Sequence, residues 1–272
     1  MEDSKYLLLG GENSIEIINS QFTNCKATNY NGGSIYATSE KKSNFDFLNC
    51  TIKSNSISSA IFFDKIDFIF KDCNFNDNSV SDNDLPSVIN CRSSDGSIEN
   101  CNFFNNNVRK DDMILTRSIK LYGAIYFSEV NCIFKECLFS NNVINVGYRT
   151  AIGAALFGSN SNFNFEKSNF SNNHLNKENH LDYNDHLYGG AINLRNSFSS
   201  FNECLLDSNY VHCDGISSHG GALYIERTHC NFTNCTFSNN YASSGNDKSY
   251  GGVGFLTSSN CKFEDCFFDL NI

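Results

Sequence analysis

The chain has 272 residues, 30 acidic against 20 basic, a formal net charge of −10, and its basic residues are scattered. That balance argues against a nucleic-acid partner, which needs a basic face. No segment is apolar over the length that a membrane span requires.

In chain order, residues 1–11 are a lead-in whose apolar part, Tyr6 to Leu9, is too short for a signal core. From Ile17 onward one short pattern returns. It opens on an apolar row: Ile17, Phe47, Phe70, Ile98, Phe134, Phe165, Phe201, Phe232 and Phe263. Three residues on comes a Cys/Ser row: Ser20, Cys50, Cys73, Cys101, Cys137, Ser168, Cys204, Cys235 and Cys266. Two further on stands a second apolar row, Phe22, Ile52, Phe75, Phe103, Phe139, Phe170, Leu206, Phe237 and Phe268. Three beyond that is an asparagine: Asn55, Asn78, Asn106, Asn142, Asn173, Asn209, Asn240 and Asn271, with Cys25 in the first repeat. Spacings between repeats run from 23 to 36 residues.

Cys-x-Phe alternates with period two, and the pieces are too short for helices, so they read as strands. A third strand is led by glycine: Gly33–Ala37, Gly123–Phe127, Gly153–Phe157, Gly190–Leu194, Gly221–Ile225 and Gly252–Leu256, with Ser59–Phe63 and Ser87–Cys91 lacking the glycine. The expected fold is all-β, a right-handed parallel β-helix of about nine coils with three short strands each. A single coil has nothing to bury its apolar side against, whereas stacking at about 4.8 Å buries it. The asparagines read as a structural ladder: Asn tolerates the left-handed backbone of a tight corner and its amide can reach the next coil. Residues 1–272 read as one domain. The chain stops at Asn271-Ile272 without a polar cap, so it reads as a segment of a longer array.

Two motifs alternate in phase. Gly-Gly stands at Gly32-Gly33, Gly189-Gly190, Gly220-Gly221 and Gly251-Gly252, and Phe-x-x-Asn at Phe75–Asn78, Phe103–Asn106, Phe139–Asn142, Phe170–Asn173, Phe237–Asn240 and Phe268–Asn271. Together they resemble the repeats of polymorphic outer membrane proteins, the chlamydial surface autotransporters. Similar repeats occur in large surface proteins of some protists. The resemblance implies a parallel β-helix at a cell surface or secreted, adhering to a protein or glycan. The sequence itself carries no signal peptide and no C-terminal membrane barrel, and it is unusually rich in cysteine.

The ladder cysteines, with Cys132, Cys230 and Cys261 one strand earlier, should face inward as small hydrophobes. Disulfide Cβ atoms sit about 3.8 Å apart, closer than stacked coils, so the thiols should stay reduced. The Cys-x4-Cys pairs Cys132/Cys137, Cys230/Cys235 and Cys261/Cys266 lie on different strands and do not converge on zinc.

Corner loops after the asparagine row lengthen in the second half, from Asn107 to Tyr122, Val143 to Ile152, His174 to Tyr188, Tyr210 to His219 and Tyr241 to Tyr250. Two consecutive loops carry His174, His180, His186, His212 and His219, among Asp182, Asp185, Cys213 and Asp214. Side by side they could hold a divalent metal; the plainer reading is that polar loops collect histidine. No cofactor is expected.

For catalysis, the outward row Glu16, Asp46, Ile69, Ser97, Ile133, Asn164, Ser200, Asn231, Lys262 offers one neighbouring acid pair, Glu16 and Asp46, at about the 5 Å of a retaining glycosidase. It stands at one end of the rod. Asp72, Glu136, Glu203 and Asp265 alternate with lysines and read as a solvated edge. The centre of the glycine-led strand is more suggestive: Tyr36, Phe62, Asn90, Tyr126, Leu156, Asn193, Tyr224 and Phe255. If its asparagines face outward, the rod exposes an aromatic stripe for sugars or a partner protein, with Tyr36, Phe62, Tyr126, Tyr224 and Phe255 as contacts. If the parity is inverted, or another layer covers them, these rings are packing. Asn-x-Ser/Thr acceptor sites occur at Asn49, Asn169, Asn231 and Asn234.

The expectation is a non-enzymatic adhesion scaffold, displayed or secreted. The alternatives are a carbohydrate-active enzyme on the same scaffold or a structural spacer.

Overall fold

The computed structural model describes residues 14–26, 33–57, 59–80, 87–110, 120–146, 150–177, 186–213, 217–245 and 248–272. One coil states the plan: Thr150–Ile152, Leu156–Ser159, Asn162–Glu166, Asn169–Ser171 and His174–Lys177. Each segment pairs in parallel with its equivalents in the coils on either side. Among the described residues this stacking yields sheets of thirteen, nine, seven and five strands, with no helix. The chain is an all-β parallel solenoid, and right-handed winding follows the general preference of parallel crossovers.

The later coils carry five segments, not three. The stretches expected as corner loops contain the strands of the seven- and five-stranded sheets, such as His174–Lys177 and Leu187–Tyr188. These run to only two to four residues, too short for a period of two to show in sequence.

Three corners share one device. A single residue in left-handed backbone turns the chain: Asn160 (φ 51°), Glu136 (54°) and Asn141 (52°) are examples. The next residue points inward and restores the hydrogen bonds that a corner interrupts. Ser161 Oγ accepts from Val130 N at 3.0 Å and donates to Ser159 O at 2.8 Å. Cys137 Sγ donates to Ile98 O at 3.2 Å. Asn142 Nδ2 donates to Phe103 O at 2.9 Å and to Asn173 Oδ1 at 2.8 Å. The left-handed residue is thus the one before the ladder asparagine, and not that asparagine as expected. The solvated acids at Asp72, Glu136, Glu203 and Asp265 are such corner residues.

The apolar rows stack in the expected register, from Ile17 through Phe47, Phe70 and Ile98 to Phe263. Phe75, Phe103, Phe139 and Phe170 lie face to face at 4.7, 4.6 and 4.7 Å. Burying each ring stabilises by about 1.5–3 kcal/mol, and stacking adds about 0.5–1.5 kcal/mol. The ladder cysteines are thiols.

Candidate functional site

The feature to build from is the glycine pair before the long sheet. Gly220 takes φ +70°, and a Cβ there would stand 1.9 Å from Leu223 O. On Gly221 it would stand 2.1 Å from Gly252 O in the next coil. Only glycine fits either place. The pair turns the chain from the five-stranded sheet into the long sheet, and outward side chains of the two meet at this corner, called the notch below.

Two columns of mostly aromatic side chains line it. The long sheet supplies Tyr126, Phe157, Asn193, Tyr224 and Phe255, in register. The five-stranded sheet supplies Tyr122, Ile152, Tyr188, His219 and Tyr250. Tyr122 meets Tyr126 at 4.7 Å and Phe157 at 4.6 Å. Tyr188 meets Tyr224 at 4.6 Å, and His219 meets Phe255 at 4.9 Å. Tyr122, Ile152 and Phe157 form an apolar cluster of their own, apart from the main core.

Charge enters at one point. The Arg195 guanidinium lies 5.6 Å from the ring centres of both Tyr188 and Tyr224, within cation–π range. Its Nε donates to Asn193 Oδ1 at 3.3 Å and is 3.5 Å from Glu226 Oε2. Burial, then the charge of Arg195, hold the Lys120 ammonium below its ordinary pKa. Burial pushes the Tyr122 and Tyr224 phenols up to about 12, so both hydroxyls are neutral donors at physiological pH.

The expected aromatic residues therefore form one column, and it faces away from the main core. It is not an open stripe: Phe62 and Tyr224 are buried, Tyr36, Tyr126 and Phe255 are half-buried, and from Tyr126 onward a second row packs against it. Tyr36 stacks on Phe62 at 5.0 Å, with the Arg92 guanidinium 5.5 Å from the Phe62 centroid. Leu156 does not belong to the column; Phe157 does. Ala154 holds the place of the second glycine in that coil, so counting from Gly153 slips by one. Sequence reasoning missed Tyr122, Tyr188, His219 and Tyr250, whose signal is an aromatic residue directly before the glycines.

The described loop histidines divide between two sheets. His174 stacks flat on Tyr210 at 4.3 Å, and His212 Nδ1 is 2.8 Å from Ser243 Oγ, both on the seven-stranded sheet. His219 is on the five-stranded sheet, with His186 beside it at 5.9 Å between ring centres. His180, Asp182, Asp185 and Asp214 lie outside the described residues. Among the described residues no three His, Cys, Asp or Glu side chains converge on a metal position.

Glu16 and Asp46 are register neighbours, as expected. A second acid pair was not foreseen: Asp95 N donates to Asp67 Oδ1 at 2.8 Å, and Lys42 bridges both carboxylates. Lys42 holds Asp95 below the usual carboxylate range. Asn169, Asn231, Asn49 and Asn234 all stand exposed.

No family model and no curated protein matches the chain. Among solved structures it is similar to QnrB1, a plasmid-mediated fluoroquinolone resistance protein, at 13% identity over 92% of this chain and 91% of that one, TM-score 0.25. It is also similar to the catalytic domain of a GH87 α-1,3-glucanase in complex with nigerose, at 10% identity over 98% of this chain and 66% of that one, TM-score 0.23. A tetrasaccharide complex of such a domain matches at 10% identity over 91% and 64%, TM-score 0.21. The expectation of a non-enzymatic chain is corrected here, because catalytic domains stand among its likenesses. TM-scores this low assign no activity.

Proposed function

We propose that this chain is a glycan-binding β-solenoid, displayed at a cell surface or secreted, with its ligand seat in the aromatic notch. The supporting observation is the double column of mostly aromatic side chains outside the main core, where ring faces and neutral phenol hydroxyls lie together. Sugar rings stack on aromatic faces, here those of the half-buried Tyr126 and Tyr188, and their hydroxyls take such donors. The in-phase Gly-Gly and Phe-x-x-Asn motifs support the finer reading of a polymorphic outer membrane protein type of repeat.

The test is a glycan array on the intact chain and on Tyr126→Ser and Tyr188→Ser, paired with a reducing-sugar assay on every glycan retained. Retention by the parent chain that both variants lose, at little change in urea midpoint, is the expected result. Retention unchanged in both variants would remove the notch as the seat. Release of reducing ends would make the seat catalytic.

A further inference from the structure

We infer that the notch selects acidic sugars, whose anionic group is held by the Arg195 fork while Lys120, two residues before Tyr122 on the same strand, adds positive charge along the face. This rests on the glycan reading above and narrows it.

Charge comes first. The chain as a whole carries −10, yet this face brings Lys120, two residues before Tyr122, and Arg195, which is 3.5 Å from Glu226, so two cations stand against one carboxylate. The Arg195 guanidinium is partly desolvated, its side chain 19% exposed, whereas the Lys120 ammonium is exposed to water, and a ligand anion at the Arg195 fork would balance the surplus.

Donor geometry comes second. Arg195 makes both of its polar contacts through Nε. Its terminal fork has no hydrogen-bond partner among the described residues, and this fork matches a carboxylate or a sulfate with two parallel bonds. The guanidinium lies over Tyr188 and Tyr224, so an anion on the fork is placed beside two ring faces. Asn193 and Glu226 fix the Nε side of the group, which leaves the fork oriented before any ligand arrives.

Carboxylate and sulfate share this chemistry, so titration calorimetry separates them with three probes: a hyaluronan hexasaccharide, a sulfated dextran oligosaccharide and the same dextran unsulfated. At least one acidic probe should bind about ten-fold or more tighter than neutral dextran, a difference of about 1.4 kcal/mol. Its affinity should fall as salt rises. Lys120→Gln and Arg195→Lys should each erode that preference. Arg195→Lys keeps the charge beside Glu226, so its effect reads the loss of the fork. Neutral dextran binding as tightly as both acidic probes, or a preference that survives both substitutions, overturns the inference and leaves the glycan seat standing. Binding of none of the three overturns both.

Discussion

Buried asparagine plays two opposite parts in this molecule. Asn142 is fully buried and fully used: its Oδ1 accepts from Asn106 N at 3.3 Å and Asn106 Nδ2 at 2.9 Å, while its Nδ2 donates in both directions along the stack. Removing it leaves several buried groups without partners, each costing about 1–3 kcal/mol. Asn142→Ala should therefore lower stability by about 2–4 kcal/mol, read as a fall in the urea midpoint. Asn90 is equally buried, yet neither atom of its amide has a hydrogen-bond partner among the described residues. Asn90→Leu removes that penalty and should raise stability by about 1 kcal/mol in the same measurement. A loss on Asn90→Leu would mean that the amide is satisfied in solution.

At the scale of the element, the glycine pair decides whether the notch exists. Gly220→Ala puts a Cβ against backbone oxygen in left-handed backbone, which should cost about 2–4 kcal/mol. Gly254 is the control. A Cβ there meets Leu223 Cβ at 3.3 Å, and its register equivalents are Leu223, Ile192 and Leu156. Gly254→Ala should be neutral or stabilising by about 0.5 kcal/mol, and urea melts of the two variants make the comparison.

Elements also mark how much was legible in sequence. The rows through Phe75, Phe103 and Phe139 could be read because a strand facing one core repeats its apolar side chains at fixed offsets. The seven- and five-stranded sheets could not, since His174–Lys177 or Ser218–His219 is too short to show alternation and is too polar to look buried. The parity of the aromatic column was readable from Asn90 and Asn193, but the facing column was not. Its approach depends on backbone angles at Gly189, Gly220 and Gly251, which residue spacing does not encode.

Across the whole molecule, buried thiols set the response to alkali. Burial raises Cys91 and Cys132 well above the ordinary thiol range and takes Cys137 to about 12. The unfolded chain sheds these protons near pH 9, while the folded chain keeps them. Stability is therefore whole below that pH and is lost as pH climbs toward the folded values. Each such thiol contributes a slope that approaches about 1.4 kcal/mol per pH unit once the unfolded thiol is ionised, so three give about 3 kcal/mol between pH 9 and 10. Cys137→Ser should keep neutral stability nearly intact, because Ser168 holds the same row in the next coil and its Oγ accepts from Cys137 N at 3.2 Å. It should also flatten the alkaline slope by about one thiol's share, read as urea midpoints from pH 8 to 10.

The stretch from Ile61 to Asn78 is as long as those from Ile125 to Asn142 and from Ile192 to Asn209. Coils differ in length chiefly between an asparagine and the next glycine-led strand, the coil from Ile35 to Asn55 adding an excursion between Thr38 and Ser43. The molecule thus has a fixed cassette and an adjustable seam. Whole turns can be excised or duplicated by cutting at equivalent asparagines, and foreign peptides can be grafted into the seam while every rung keeps its neighbour.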